Sequence, residues 1–337
     1  MKVLFLDPVC LEGHVNFNKI HLLSLMSTFD DVDCCFVKGY TDELNIKDCN
    51  LVYELPKTLG YNRLGGVGYR LKMLKSLRLV KRNINLSLYD IIIISCYDEI
   101  SLWLSHFPRS FIINHNNLSK MNHWFKRLCY KRICDKHVNI VLNDNSFNYL
   151  KSKGVENIVK VVHGLMLPYK SVKKENDKFV LFTPSPNSTD KLFTESIIKD
   201  KRFINWLEDN DAVFILRGNY RSDSNRIKVI TGRINFEKYK NLLMTSNCLY
   251  IAYPPSFKYR VSAVVLEAIA NKKNCVLREI EDFREYENIY GSQIYFHNVE
   301  TLIESLDFIK NGNVKFNDNW VKDNQQTPDY SILKDYI

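Results

Sequence analysis

Short, nearly uninterrupted apolar runs recur along the whole chain, each followed by a stretch of helical or turn character. They are Lys2–Leu6, Cys34–Val37, Leu51–Leu55, Asp90–Ser95, Phe111–Asn114, Asn139–Leu142 and Val159–His163, then Phe179–Thr183, Ala212–Leu216, Ile227–Thr231, Cys248–Ala252, Cys275–Leu277 and Gln293–Phe296. A strand with one face in water alternates apolar and polar residues, whereas a strand that is apolar throughout is covered on both faces. The pattern therefore predicts α/β architecture with parallel sheets between layers of helices. The 337 residues exceed one average core and suit two domains of about 150 residues each. The polar run Pro168–Lys178 (PYKSVKKENDK) separates the two series of strands. Residues 1–168 and 179–316 are accordingly read as two doubly wound domains, 169–178 as their linker, and 317–337 as a polar, aromatic tail in which Trp320 offers an anchor.

Several classes of protein are set aside by composition. No run of 18 apolar residues is present, so no membrane-spanning helix is expected. The first apolar run ends after four residues at Asp7, which suits a first strand and not a secretory leader, so the expected location is cytoplasmic. Nine cysteines without regular spacing do not form a disulfide framework; Cys34, Cys35, Cys96, Cys248 and Cys275 sit in strand-like runs and read as core thiols. Cys129 and Cys134 lack the Cys-x2-Cys spacing of a zinc site. Asp31-Val32-Asp33 and Asp209-Asn210-Asp211 have the spacing of a metal-binding Asp-x-Asp, but they fall in helix-to-strand connections where solvated aspartates are expected anyway. No metal is expected.

The net charge of +9 is unevenly placed: residues 1–170 carry 23 Lys+Arg against 15 Asp+Glu, leaving a near balance in the rest. Residues 69–84 read as a helix with Leu71, Leu74, Leu77, Val80 and Ile84 at spacings of three and four, flanked by Arg70, Lys72, Lys75, Arg78, Lys81 and Arg82. A second basic stretch, Lys120–Lys136, mixes Trp124, Phe125 and Tyr130 with Lys126, Arg127, Lys131 and Arg132. The plain reading is a solvated face on core helices. The sharper one is a landing surface for anionic lipid at the inner face of a membrane, built from Arg70, Lys75, Arg78, Lys81, Arg82, Trp124, Lys126 and Arg127. Nucleic acid is not the expected partner, because no helix-turn-helix, zinc finger or ribonucleoprotein aromatic motif accompanies the charge.

The most informative stretch is 248–278. A buried strand, Cys248–Ala252, is followed by Pro254-Pro255, the basic loop Phe257–Arg260 and the apolar helix SAVVLEAIA. Ser262 suits the N-cap, and Ala263 is small enough for a ligand to approach the free first-turn N–H groups, an anion seat. Glu267 is the one ionisable group in this helix, and a carboxylate in such company requires hydrogen-bond donors, which a ribose diol would supply. Arg260 lies two residues before the cap, where its fork can reach a phosphate.

The run Tyr259-Arg260-Val261-Ser262-Ala263-Val264-Val265-Leu266-Glu267-Ala268-Ile269-Ala270 resembles the donor motif of GT-B glycosyltransferases, especially the family 4-like enzymes of bacterial surface-polysaccharide synthesis. The resemblance implies α/β domains of GT-B type, two Rossmann-like doubly wound parallel-sheet domains facing a central cleft, with the tail 317–337 crossing back to the N-terminal domain and Trp320 as its anchor. It also implies transfer of a sugar from a nucleotide-sugar donor to a glycan acceptor, lipid-linked, in O-antigen, capsule or lipopolysaccharide synthesis. Glu267 would hold the ribose, and Ser262 with Ala263 the diphosphate. The family's second glutamate, beside the transferred sugar, is replaced by Tyr259. Gly13 occupies the place of the family's glycine-rich loop, with Glu12 and His14 beside it. His115 follows a mid-domain strand where the family places a histidine facing the sugar, and Asp98 is a weaker candidate. Donor loops of this kind carry an arginine and a lysine. Lys191 supplies the lysine, Thr183 stands where the arginine is expected, and Arg217 after its strand offers a replacement. No cofactor beyond the donor substrate is implied. Two alternatives stay open: another GT-B-fold enzyme such as an epimerase or pyruvyl transferase, or a non-catalytic nucleotide-sugar-binding partner protein.

Overall fold

The structure is a computed structural model that describes residues 1–337 except 12–13, 47–48, 62–65, 116–117, 119–120, 122–123, 166–167, 171, 173–177, 187, 233 and 325–327. The chain divides into two compact units: residues 1–164 with 259–261 and 326–337, and residues 165–258 with 262–325.

The first unit contains β1 (Lys2–Leu6), β2 (Asp31–Val37), β3 (Asn50–Leu55), β4 (Ile91–Ile94), β5 (Phe111–Ile113), β6 (Val138–Val141) and β7 (Ile158–Lys160). They form one sheet in the order β3-β2-β1-β4-β5-β6-β7, every pair parallel. The four isoleucines of β4 are buried, as are Val3–Leu6 of β1. This two-sided burial is what the unbroken apolar runs require. In the second unit β8 (Phe179–Phe182), β9 (Ala212–Arg217), β10 (Ile227–Ile230), β11 (Cys248–Ile251), β12 (Asn274–Arg278) and β13 (Tyr295–Phe296) pair in the order β10-β9-β8-β11-β12-β13, again all parallel. Each sheet has its own core. Leu4, Cys35, Met73, Leu77, Ile94 and Ile112 belong to the first, and Leu181, Phe203, Phe214, Tyr250, Val276 and Leu302 to the second.

Three expectations are corrected. Cys34 is not a free thiol: it is joined to Cys49 by a disulfide, because parallel pairing of β2 with β3 brings the two within a Cα–Cα distance of 6.7 Å. The other seven cysteines are free and buried. The first Asp-x-Asp does not lie in a connection but inside β2, where buried Asp33 accepts from Tyr89 Oη at 2.7 Å and pairs with Lys2 at 3.1 Å. Burial works to raise the Asp33 carboxyl, and these bonds outweigh it and hold it below the usual range. In the second Asp-x-Asp, Asp211 pairs with Lys178 at 3.3 Å and Arg226 at 2.5 Å. The third correction concerns the basic helix, which spans Gly66–Asn83 and buries Tyr69, Met73, Leu77 and Val80, leaving Leu71 62% exposed. Leu77, Val80 and Ile84 of the stripe read from the sequence are buried as expected, while Tyr69 and Met73 turn inward in place of Leu71. No helix among the described residues is long and apolar enough to cross a membrane.

Candidate functional site

In the second unit the chain leaves β8 toward β9 and β10 on one side of the sheet and leaves β11 toward β12 and β13 on the other. The crevice beyond the carboxyl ends of β8 and β11 is thus the switch point at which open α/β sheets take ligands. Thr183 and Pro184 follow β8, Arg217 ends β9, Ala252 and Tyr253 follow β11, and Arg278 ends β12.

The helix Ala263–Ala270 begins after β11. Ser262, extended at φ −89° and ψ 103°, caps it by accepting from the Val265 N–H at 3.2 Å, and the Tyr253 hydroxyl lies 3.2 Å from the same oxygen. Val265, Leu266, Ala268 and Ile269 are buried, so tertiary packing adds to the helix propensity of the alanines, Leu266 and Glu267. Among the described residues the N–H groups of Ala263 and Val264 carry no hydrogen bond, so the positive end of the helix dipole has two donors to offer. Ser262→Ala removes the cap and should cost about 1 kcal/mol, read as a lower Tm of the folded variant.

Glu267 is 6% exposed, and its carboxylate accepts from the hydroxyls of Tyr169 and Tyr239. Burial raises its carboxyl above the ordinary range, against the two phenol hydrogen bonds, which favour the charged form. The need for donors was legible from its apolar neighbours; their identity was not. Tyr169 sits in the segment read as a linker, and it is placed by Asn271, whose Oδ1 accepts the Tyr169 N–H at 2.7 Å while its amide donates to the Glu267 carbonyl at 2.8 Å. A diol binding Glu267 would take over the positions these hydroxyls fill.

Tyr239 connects Glu267 to Arg217, whose guanidinium carbon lies 5.7 Å from the phenol ring centroid. Arg217 donates to the Pro184 carbonyl at 2.6 Å, while its Nε and the Thr183 Oγ1 are buried and without a partner. Burial lowers the Arg217 pKa from its ordinary value. A half-buried cation with a spare donor, next to a spare hydroxyl, is an unfinished polar arrangement that an anion would complete. Lys191 is more exposed and pairs with Glu195 at 3.6 Å. Asp190, which caps that helix, binds Arg278 at 2.6 Å, so Arg278 is already spent on a carboxylate.

Tyr259 and Arg260 cluster with the first unit. Tyr259 adopts φ 60°, stacks on Tyr149 with ring centroids 4.0 Å apart, and accepts at its carbonyl from Ser146 Oγ at 3.1 Å. Arg260 lies close enough for its charge to disfavour protonation of His115. His115 itself is pushed well below the usual imidazole range by burial first, then by the nearby histidines and Arg260, so it is neutral at pH 7. Its Nδ1 is buried and has no partner.

His14 packs edge-on to His115 with ring centroids 4.9 Å apart, and His14, His21, His115 and His163 surround the ring of Phe17. No spacing rule marked this cluster, because its members come from β1, β5 and β7 ends and one helix. Cys10 Sγ lies 3.7 Å from His14 Nδ1, and with Cys96 Sγ these ligand atoms all fall within 4.8 Å of one another. Asp98 is structural: it caps the helix Glu99–Ser105 and pairs with Arg70 at 3.3 Å. Glu12 and Gly13 lie outside the described residues.

The basic set separates in the same way. Besides Arg70, Lys81 is occupied with the carbonyls of Ser105 and His106 at 3.0 and 3.1 Å, and Lys126 lies 3.6 Å from buried Glu99. Lys75, Arg78, Arg82, Arg127 and Trp124 are exposed.

No known sequence family matches the chain, and no curated protein is similar to it. Solved structures are similar in fold. Anabaena HepE in complex with UDP and glucose superposes with a TM-score of 0.57 at 14% identity, covering 97% of this chain and 91% of that one. S. aureus MnaA bound to UDP gives 0.58 at 13% identity over 92% and 88%. The UDP-N-acetylglucosamine 2-epimerase from Rickettsia bellii gives 0.55 at 13% identity over 98% and 92%. With two parallel α/β sheets and nearly the full length matched, the fold of this chain is GT-B: two Rossmann-like, doubly wound parallel-sheet domains.

Proposed function

We propose that this chain is a glycosyltransferase that takes a sugar from a uridine diphosphate sugar and passes it to a glycan acceptor carried on lipid, in building a bacterial surface polysaccharide such as O-antigen or capsule. The observation that carries the reading is the second unit's switch point, where a buried carboxylate, a helix N-terminus with two free N–H groups and a half-buried arginine with a spare donor occupy one sheet edge. Ribose, diphosphate and cation contact are the three needs of a nucleoside diphosphate. Two solved structures of this fold hold UDP, and one of them holds glucose as well. In this reading Glu267 binds the ribose, and the N–H groups of Ala263 and Val264 with Arg217 neutralise the departing diphosphate. Catalysis then rests on positioning and charge stabilisation and asks for no metal at the diphosphate. His115, neutral and with an unpartnered nitrogen, is the candidate base of the first unit. Likeness to an epimerase favours a second reading, isomerisation of the nucleotide sugar without an acceptor. Release of UDP from a panel of UDP-sugars, measured with and without lipid extract, separates the two. Transfer requires acceptor for UDP release, whereas an epimerised UDP-sugar formed without acceptor sinks the transferase reading.

The acceptor side carries its own support. The helices Gly66–Asn83, Glu99–Ser105 and Trp124–Cys134 pack in a row and expose Leu71, Trp103, Leu104, Trp124 and Leu128 beside Lys75, Arg78, Arg82 and Arg127. Exposed tryptophan among basic residues suits an anionic headgroup layer, at about 1 kcal/mol per basic side chain near the surface. Arg78→Gln with Arg82→Gln should therefore weaken cosedimentation with phosphatidylglycerol vesicles about thirtyfold. Equal binding of both proteins to phosphatidylglycerol and phosphatidylcholine vesicles would remove this surface from the proposal.

A further inference from the structure

We propose that Cys10, His14 and Cys96 form a zinc-binding site at the switch point of the first unit, with two thiolates and one imidazole as protein ligands. The topology that makes a ligand crevice in the second unit makes one here: β1 and β4 are neighbours whose following connections diverge. The residues just past their carboxyl ends are Asp7 to Cys10 and Ser95-Cys96. Two thiols therefore arrive at one point from segments far apart in the chain, and the helix Val15–Thr28 that follows β1 brings His14 to the same point.

The turn is built to aim these groups. The Asp7 carboxylate accepts the Cys10 N–H at 3.2 Å, and its other oxygen accepts from Asn18 at 2.9 Å. Cys10 is also held in a parallel bridge with Tyr61. His14 takes the left-handed conformation at φ 53°, an uncommon one for a residue with a side chain, and so directs its ring back toward Cys10. The Tyr69 hydroxyl lies 3.5 Å from Cys96 Sγ, an outer hydrogen bond of the kind that orients metal ligands.

The distances are those of a site needing only small adjustment. Zn–S and Zn–N bonds of about 2.3 and 2.0–2.1 Å at tetrahedral angles place neighbouring ligand atoms about 3.5–3.8 Å apart. Cys10 Sγ to His14 Nδ1 is already 3.7 Å, and all three atoms lie within 4.8 Å of one another. Two thiolates make the site neutral with a divalent ion, which suits its burial. Three protein ligands leave a fourth position open. A water would fill it, beside the His115 ring that packs edge-on to His14. The ligand set is soft and nitrogen-containing, which selects zinc over magnesium or calcium.

The test is metal content, independent of any activity. The full-length protein, purified under reducing conditions and dialysed against buffered zinc, is expected to hold one zinc per chain by elemental analysis. Cobalt in its place should give the intense visible bands of tetrahedral thiolate coordination. Cys10→Ser with Cys96→Ser should lose both, while Cys129→Ser, another buried free cysteine, should retain them. Because the double variant could misfold, the cobalt spectrum of the unmodified protein stands as a second measurement. Absence of stoichiometric zinc and of thiolate–cobalt bands in folded, reduced protein overturns the proposal. So does a Cys10–Cys96 disulfide that, once reduced, takes up no metal.

Discussion

Glu267→Ala is expected to weaken UDP binding about a hundredfold and to abolish the rise in Tm that saturating UDP gives the unmodified protein. Hydrogen bonds to a charged group contribute about 1.5–3 kcal/mol each, and a ribose diol makes two. In the ligand-free chain, however, the Tyr169 and Tyr239 hydroxyls already occupy the carboxylate. UDP exchanges one pair of donors for another, so the net loss is nearer to 3 kcal/mol than to the full sum. The variant also takes the acceptor from the part-buried Tyr239 hydroxyl and should be less stable by about 1–3 kcal/mol. The readout is therefore the UDP-induced shift of each protein relative to its own baseline, since a ligand stabilises only the state it binds. Tyr169→Phe provides the opposite sign: with one competing donor removed, the shift should grow. An undiminished shift in folded Glu267→Ala refutes the ribose assignment.

Acid is expected to unfold the first unit in a window set by its buried histidines. His163 and His137, 1% and 2% exposed, are pushed down to about 4 by burial, and His21 is lowered by burial and by the neighbouring His163. In the unfolded chain an imidazole binds its proton near pH 6.5. Between pH 6.5 and 4 the unfolded state thus carries more protons than the folded one, so stability rises with pH and is lost as pH falls through that window. A displacement of this size corresponds to about 3 kcal/mol for each of His163 and His137, large beside a total stability of about 5–15 kcal/mol. Tm should fall steadily from pH 6.5 to 4. A His163→Gln and His137→Gln variant should show a flatter profile, the remaining slope being that of the carboxylates. Identical slopes in the two proteins would show that these rings are not what acid attacks.

How much of this was readable beforehand differs from residue to residue. The thirteen strands among the described residues were visible as apolar runs; in β1, β4, β6 and β11 this is because a strand buried on both faces writes its environment into every consecutive side chain. Ser262 and Glu267 were visible for a related reason: a hydroxyl before an apolar helix and a lone carboxylate within it each demand a local partner. Leu71 misled because a helix carries apolar residues on more than one face, and only packing selects the face that turns inward, here Tyr69, Met73, Leu77 and Val80. Lys81, Lys126 and Arg70 counted as free charge in the sequence, yet the structure engages them with carbonyls, Glu99 and Asp98.

Periodicity and local chemistry alone determined the parallel α/β class, the two series of strands and the helix Ala263–Ala270, since these depend on residues a few positions apart. The tertiary structure decided who fills the Glu267 carboxylate, that the charge of Arg260 acts on His115, that Cys34 meets Cys49, and that Cys10, His14 and Cys96 share one point. Each of these is a meeting of distant segments at a strand's end. A parallel sheet places such ends side by side according to strand order, and strand order is fixed by long-range packing that leaves no mark in the spacing of the residues themselves.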